Sequence, residues 1–409
     1  MKIIPCIIGL GYVGLPITLI LSNRLLTYGF DINKERIKRL KKKIDDNKEF
    51  APKKFSNIKR IIFTNKIKDI KNCNFYILCV PTPLHKNKTP NLKALNNATK
   101  TVSKILKKKD IVFIESTVFP GVTERCKNYL EKHTKLKNNK DFFIGYSPER
   151  INPGDKINTL KNISKIVSIK TKNKNILKKV FKIYNQISKK IIISKYIRAA
   201  ETAKVIENIQ RDINIALMNE ILLICKKLKI NFKEVMRLAK SKWNFINFMP
   251  GLVGGHCLPV DPYYLSTISK KNNLKTEVTL AGRKINDKML NYIIKELNYF
   301  LNKKNKTLKN SKIMIVGLTY KAGVADMRNS LNFEIFKKIK KYNNKIYGCD
   351  PFVTKNIKTT YNIYDDVKKS TYYDVILFLS YHGIFKKIFQ NIISSKNRNK
   401  ILDPFNYYS

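Results

Sequence analysis

The sequence predicts an α/β chain in which two Rossmann-like, doubly wound parallel-sheet domains are joined by a long central helix. Three observations carry that expectation. Short apolar runs alternate with polar helical stretches in the first third, as in βαβ units. A Gly-x-Gly-x-x-Gly turn stands between the first apolar run and a helical stretch. A long helical period then separates this region from a second set of alternating runs near the C-terminus.

In chain order, strands are expected at Ile3–Ile8, Leu25–Phe30, Ile61–Phe63, Phe75–Val80, Ile111–Glu115 and Phe142–Tyr146. Ile163–Ile169 and Ile191–Ser194 complete a first domain over residues 1–195. Pro5 is placed at the start of its strand, because a central strand needs its N–H groups. From about Lys195, Ala199, Ala203, Ile206, Ile213, Leu217, Ile221 and Ile224 recur at helical spacing. No proline or glycine interrupts residues 199–228, and such a helix suits a domain bridge and a dimer seam. A Gly/Pro-rich loop follows, then a second helix over Lys275–Phe300, giving a central helical domain over 196–300. The polar segment Asn302–Ser311 marks the next boundary. Residues 301–409 read as a second α/β unit: strand Lys312–Val316, a turn at Gly317, helix Leu331–Lys341, strand Lys345–Cys349 ending at Asp350, and strand Val375–Leu379.

A chain of 409 residues suits two or three domains. Residues 1–22 lack the basic start and cleavage site of a signal peptide, and no apolar run reaches the roughly 20 residues of a membrane span, so no membrane partner is expected. The seven cysteines are odd in number and irregularly spaced, which excludes a disulfide framework or a zinc site and suits a reducing cytoplasm. The net charge of +53, from 82 Lys plus Arg against 29 Asp plus Glu, has two readings. One is nucleic-acid binding, by a basic protein on a retained Rossmann scaffold. The other is compositional drift, in which Lys, Asn, Ile and Tyr rise together as AT-rich codons would produce. The lysines are spread over every segment and no nucleic-acid module is recognisable, so drift is preferred and no nucleic-acid partner is expected. A positive field still helps attract an anionic substrate.

Gly9-Leu-Gly11-Tyr-Val-Gly14 follows an apolar strand and opens a helix. Its glycines permit a tight turn, close approach of backbone to a pyrophosphate, and close helix–strand packing. Asp31, at the end of the next strand, stands where a carboxylate accepts from ribose hydroxyls, which favours NAD over NADP. Val80-Pro-Thr82-Pro and Glu115-Ser-Thr117 lie at the carboxyl ends of strands, where ligands bind in open α/β sheets.

Lys204 and Asn208 lie one helical turn apart on one face, positioned to stabilise a developing oxyanion. Gly251-Leu-Val-Gly-Gly-His-Cys-Leu-Pro-Val-Asp261 sets Cys257 between a glycine turn and an aspartate four residues on. Most lone cysteines are buried structural thiols. The Gly254-Gly255 approach, the Pro250-Gly251 turn and Asp261 point instead to a nucleophile. His256 is a secondary candidate for its base. Ser147-Pro-Glu149-Arg150 ends another strand, and a carboxylate there can activate a hydrolytic water.

The chain resembles the UDP-glucose/GDP-mannose dehydrogenase family over nearly its whole length, and within it the bacterial UDP-N-acetylhexosamine branch. The segments that carry the likeness are Gly9–Pro16, Val80–Pro83, Glu115–Gly121, Gly145–Asp155, Lys204–Arg211, Ser241–Phe245, Pro250–Leu265 and Gly317–Asn329. Tyr-Ser-Pro-Glu-Arg-Ile-Asn-Pro-Gly and Ser-Lys-Trp-Asn-Phe point to the N-acetylhexosamine branch. Pro5 and Pro259 look like departures but replace no catalytic residue.

The resemblance implies two NAD-dependent oxidations at C6 of a UDP-N-acetylhexosamine, UDP-GlcNAc or UDP-GalNAc, for surface polysaccharide synthesis. Lys204 and Asp261 would handle proton and charge, with Asn208 sharing the oxyanion. Cys257 would hold the aldehyde as a thiohemiacetal and then a thioester. Glu149, with Thr117 ordering water, would promote hydrolysis. Cofactor contacts would fall on Gly9, Gly11, Tyr12, Val13, Gly14, Asp31 and Arg36, and on Val80, Thr82, Thr117 and Arg328. Substrate contacts would fall on Glu149, Arg150, Lys204, Asn208 and Arg211, on Trp243, Phe245, Pro250, Gly251 and Gly254, and on Lys321. It further implies a homodimer, with residues 301–409 as the UDP-sugar-binding domain. UDP-N-acetylmannosamine and UDP-glucose are the alternative substrates.

Overall fold

The computed structural model describes residues 2–46, 50, 55, 60–151, 159–321, 323, 326–327, 329–367, 370–380, 383–394 and 397–408. The chain forms two compact units, Met1–Glu207 with Tyr263–Leu274, and Asn208–Pro262 with Lys275–Ser409.

The first unit is built on eight strands: β1 (Pro5–Ile8), β2 (Thr27–Phe30), β3 (Ile61–Thr64), β4 (Phe75–Leu78), β5 (Ile111–Ile114), β6 (Phe143–Tyr146), β7 (Ser164–Ile169) and β8 (Lys190–Ser194). Their order is β3-β2-β1-β4-β5-β6-β7-β8. The sheet order reverses at β1, between β2 and β4, so the crevice beyond the carboxyl ends of β1 and β4 is the switch point where such sheets bind ligands. Every expected strand is present, with edges within two residues, and Pro5 is the first residue of β1. One expectation is corrected: the sheet is not wholly parallel, because β6 pairs with β7 antiparallel. Helices α1 (Gly14–Ser22), α2 (Lys34–Lys41), α3 (Lys93–Ser103), α4 (Val122–Thr134) and α5 (Lys174–Ile187) connect the strands. β1, β4, β5 and β6 are buried at every position, as their unbroken apolar runs require. Phe75, Phe113 and Tyr184 interlock in the core, the first two stacked with ring centroids 5.8 Å apart.

Helix α6 (Ile197–Lys227) runs for 31 residues, and α7 (Phe232–Lys240), α8 (Asp261–Lys271) and α9 (Glu277–Asn302) follow. In the second unit, Met218, Leu222 and Cys225 of α6 and Met289, Ile293, Leu297 and Leu301 of α9 share a core with the second sheet. That sheet comprises β9 (Ile313–Val316), β10 (Ile346–Cys349), β11 (Ile363–Tyr364), β12 (Val375–Phe378) and β13 (Ile401–Leu402), ordered β11-β10-β9-β12-β13 and parallel throughout. Helices α10 (Leu331–Lys340), α11 (Lys355–Tyr361) and α12 (Gly383–Ser394) accompany it. The N-terminal device recurs: Gly317 follows β9 at φ +87°, and Asp350 after β10 accepts from Leu318 N and Thr319 N at 2.8 and 2.9 Å. Among the described residues, no helix is long and apolar enough to cross a membrane.

Candidate active site

β1 ends at Ile8, and the chain turns through Gly9–Gly14 into α1. Gly9 has φ +93°, and a Cβ there would lie 2.7 Å from the Cys79 carbonyl oxygen. A Cβ on Gly14 would lie 1.8 Å from the Gly9 carbonyl oxygen, so α1 approaches β1 this closely only without a side chain. Gly11 differs, because an added Cβ would meet nothing within 4 Å. Two glycines therefore serve the turn, while the third leaves bare backbone beside a helix N-terminus, the surface a pyrophosphate requires. Tyr12 and Val13 are half-buried in this turn. Asp31 is half-buried after β2; its Oδ2 accepts from Leu10 N and its Oδ1 from Asn33 N, both at 2.9 Å. These features fit a dinucleotide. Arg36 is engaged by the protein itself: Nε and Nη2 donate to the Leu10 carbonyl at 3.1 and 2.9 Å, and the guanidinium pairs with Asp45 at 2.8 Å. It braces the glycine turn.

The segments after β4 and β5 are tied together. Val80 N donates to Ser116 Oγ at 3.0 Å, and Thr82 Oγ1 donates to the Thr117 carbonyl at 2.8 Å. The Tyr264 hydroxyl donates to the Thr82 carbonyl. Beyond Thr117, the turn into α4 is held by Glu201 of α6, which is wholly buried. Its carboxylate accepts from Gly121 N at 2.6 Å, Thr123 N at 2.8 Å and Thr123 Oγ1 at 2.7 Å. Burial raises its pKa above the usual carboxylate range, against these donors.

Glu149 follows β6 and is 8% exposed. Its Oε1 accepts from Arg150 N at 2.7 Å and Ile151 N at 2.5 Å, and its Oε2 from Lys165 Nζ at 3.4 Å. Lys165, on β7, is fully buried and also donates to Glu115 Oε2 and to the Pro148 carbonyl. Glu115 is 1% exposed, and burial pushes its carboxyl up to about 7 even against the Lys165 ammonium. Arg150 points elsewhere, to Glu207 at 2.8 Å and the Ser164 carbonyl at 2.9 Å.

On α6, Glu201, Lys204, Asn208 and Asp212 are all buried, at helical spacing along one face. Arg211 is exposed. The apolar stripe read from the sequence is a different face: Ile206, Leu217 and Ile224 are 48%, 47% and 50% exposed. Lys204 therefore does not sit in that apolar stripe; it shares the buried face with Val205 and Ile209.

In the second unit, Asn208 Nδ2 donates to Asp261 Oδ2 at 2.5 Å, and Asp261 is 2% exposed. The first i→i−4 bond entering α8 runs from Asp261 N to the Cys257 carbonyl at 2.9 Å. Cys257 thus stands one turn before the first residue of α8. Among the seven cysteines it is the one that is exposed; the other six are buried. Gly254 and Gly255 make its loop possible. A Cβ on Gly254 would lie 2.7 Å from the Asn329 carbonyl oxygen, and Gly255, at φ +90°, would place one 2.8 Å from the Tyr320 ring. His256 turns its ring to Asn329 at 3.3 Å and Asp326 at 3.8 Å.

Gly251 is clamped by Asn219, which accepts from Gly251 N at 2.8 Å and donates to its carbonyl at 3.0 Å. The Pro250 carbonyl accepts from Tyr407 at 2.9 Å. Trp243 is 92% exposed, so it is not core, whereas Phe245 packs against the second core. Lys321 is half-buried after the Gly317 turn. Arg328 lies outside the described residues.

Sequence reasoning missed Lys165, Tyr184, Glu201, Asn219 and Asn329. Each is a polar residue inside an apolar or helical pattern, and periodicity gives such residues no distinguishing mark. The one available signal was Lys165 itself, an ammonium in the run Ser164–Ile169 otherwise read as a buried strand.

The chain matches the UDP-glucose/GDP-mannose dehydrogenase family in three parts: its NAD binding domain over residues 1–188, its central domain over 198–288 and its UDP binding domain over 314–409. It is 42% identical to a UDP-N-acetyl-D-glucosamine 6-dehydrogenase of Salmonella typhi over 398 residues, 96% of this chain and 93% of that one. It is 40% identical to a protein of the same name from Pseudomonas aeruginosa, over 85% of this chain and 82% of that one. Its structure superposes on a UDP-D-ManNAc dehydrogenase from Pyrococcus horikoshii with a TM-score of 0.84 at 28% identity, covering 98% and 93% of the two chains. The chain belongs to the UDP-glucose/GDP-mannose dehydrogenase family. It is an NAD-dependent nucleotide-sugar dehydrogenase, and the nucleic-acid-binding alternative is set aside.

Proposed function

We propose that the chain oxidises the C6 hydroxyl of a UDP-N-acetylhexosamine, UDP-GlcNAc or UDP-GalNAc, twice to the uronate, for surface polysaccharide synthesis. The reading is supported by the relatives of that name at 40–42% identity. The observation that carries the chemistry is Cys257, exposed at a helix amino end one turn before an Asp261 buried against Asn208. Bound NAD supplies the hydride acceptor for each oxidation. Gly9, Gly11, Tyr12, Val13 and Gly14 would hold its phosphates, Asp31 its ribose, and Val80, Thr82 and Thr117 would also contact it, while Arg36 braces the turn.

In the first oxidation C6 loses a hydride while Lys204 and Asp261 manage the hydroxyl proton and Asn208 shares the oxyanion. The Cys257 thiolate adds to the aldehyde carbon, giving a thiohemiacetal that stays bound while cofactor is exchanged. Loss of the second hydride and the hydroxyl proton leaves a thioester. Glu149 takes a proton from water ordered by Thr117, the water oxygen replaces sulfur, and the carboxylate departs as Cys257 regains its thiol. Arg150, Arg211, Trp243, Phe245, Pro250, Gly251, Gly254 and Lys321 are assigned to substrate, with Arg328 to cofactor phosphate, and 1–195, 196–300 and 301–409 to the three domains. A homodimer through the exposed Ile206, Leu217 and Ile224 face of α6 completes the reading, in a reducing cytoplasm that keeps Cys257 a thiol. Sedimentation as a single-chain particle would remove the dimer.

NADH absorbance with a panel of UDP-sugars tests the substrate and the stoichiometry. Two NADH per uronate are expected, and Cys257→Ser should stall near the aldehyde. One NADH per sugar in wild type, or undiminished turnover in Cys257→Ser, refutes the mechanism. The Pyrococcus likeness supports UDP-N-acetylmannosamine as the second reading, and faster turnover of that sugar would establish it.

A further inference from the structure

The geometry points to Lys165 as a positioning residue for Glu149: its buried ammonium, gripped between Glu115 and Glu149, fixes the carboxylate that activates the hydrolytic water. The inference rests on the reading that Glu149 is that base. Lys165 Nζ makes three contacts: Glu115 Oε2, the Pro148 carbonyl at 3.1 Å, and Glu149 Oε2 at 3.4 Å. Balancing Glu115 alone would need one of them. The other two go to consecutive residues of the segment that carries the base. Glu149 Oε1 is pinned separately by Arg150 N and Ile151 N at 2.7 and 2.5 Å. With one oxygen on two backbone donors and the other on an ammonium, the carboxylate plane is set in advance, as a general base requires.

The neighbours complete the case. Tyr184, on α5, donates to Glu115 Oε1 at 3.0 Å, and Cys79, after β4, is a fully buried thiol that burial keeps neutral. Arg150 spends its guanidinium on Glu207 and the Ser164 carbonyl. Burial pushes the Glu115 carboxyl up, and the Lys165 ammonium beside it acts the other way. Lys165 therefore fixes the Oε2 side of the carboxylate that Arg150 N and Ile151 N hold at Oε1.

The test is the double variant Glu115→Gln/Lys165→Met, which removes the ammonium without leaving Glu115 as a second uncompensated charge. Wild type and variant, with UDP-GlcNAc and NAD, are followed by NADH absorbance and intact-protein mass. The variant should accumulate a sugar adduct on Cys257, with kcat lowered about 100-fold and KM values within about 3-fold. Wild-type kcat without adduct would overturn the inference. Should the double variant not fold, Lys165→Arg carries the same test, because its bulk displaces Glu149; adduct accumulation supports the inference and wild-type turnover overturns it. Wild-type protein that oxidises no UDP-sugar would instead remove the underlying reading.

Discussion

Replacing Glu201 by alanine probes how α6 holds the loop that carries Thr117. The Glu201 carboxylate, with no exposed surface, accepts from Gly121 N, Thr123 N and Thr123 Oγ1 at 2.6–2.8 Å. It caps the start of α4 in place of the N-cap residue, the side-chain-free Gly121. Each buried donor left without a partner costs about 1–3 kcal/mol. Three such donors cost roughly 3–6 kcal/mol, allowing for some relaxation and the recovered cost of burying a carboxylate. Against a typical total of about 5–15 kcal/mol this is a large fraction. At roughly 2–4 °C per kcal/mol, the melting temperature should fall by about 6–24 °C. Glu201→Gln keeps one acceptor oxygen and should fall by less than half as much. Calorimetry of the three proteins reads stability, and NADH formation reads activity, which should drop in step because Thr117 lies four residues before Gly121. A Glu201→Ala protein melting within 2 °C of wild type, with unchanged kcat, would refute the capping argument.

The glycine turn offers a separation of roles. Gly14→Ala places a Cβ 1.8 Å from backbone and should abolish folding or NAD binding together, whereas Gly11→Ala meets no protein atom and should melt like wild type while raising the KM for NAD at least about 10-fold. Equal NAD affinity in Gly11→Ala would argue against pyrophosphate at that backbone. Glu115, raised from 4.5 to about 7, binds its proton more tightly when folded, so its contribution is complete below about pH 4.5 and lost as pH rises through 7. The melting temperature of Glu115→Gln relative to wild type should therefore improve between pH 5 and 8, and a constant difference would show that Glu115 does not titrate in that window.

Much of the fold was legible because the strands of an α/β sheet are short apolar runs buried on both faces. Phe75–Leu78 and Ile111–Ile114 are buried at every position, and their sequence reads accordingly. Strand direction leaves no such trace, which is why the antiparallel junction between β6 and β7 escaped notice. Nor did α7 and α8 declare themselves, since α8 begins at Asp261, directly after a loop read only for its chemistry. The glycine turn was legible for the opposite reason: its spacing has a steric purpose, seen in Gly9 at φ +93° and in the close approach at Gly14.

Helix α6 shows where periodicity misleads. Its apolar residues do recur at helical spacing, yet Ile206, Leu217 and Ile224 face outward, while Glu201, Lys204, Asn208, Asp212 and Asn219 are buried. An apolar moment finds the apolar face of a helix, whether or not that face is the one turned to the core. Burying polar groups costs less when they are answered: Glu201 by the start of α4, Asn208 by Asp261, Asp212 by Arg283 at 2.5 Å and Asn286 at 2.8 Å, and Asn219 by Gly251. Those partners lie 32 to 80 residues away in sequence, so no local window contains both halves of any pair. The polar stripe on α6 is thus what a single sequence conceals most completely, and its hydrogen bonds tie down the helix that carries Lys204 and Asn208.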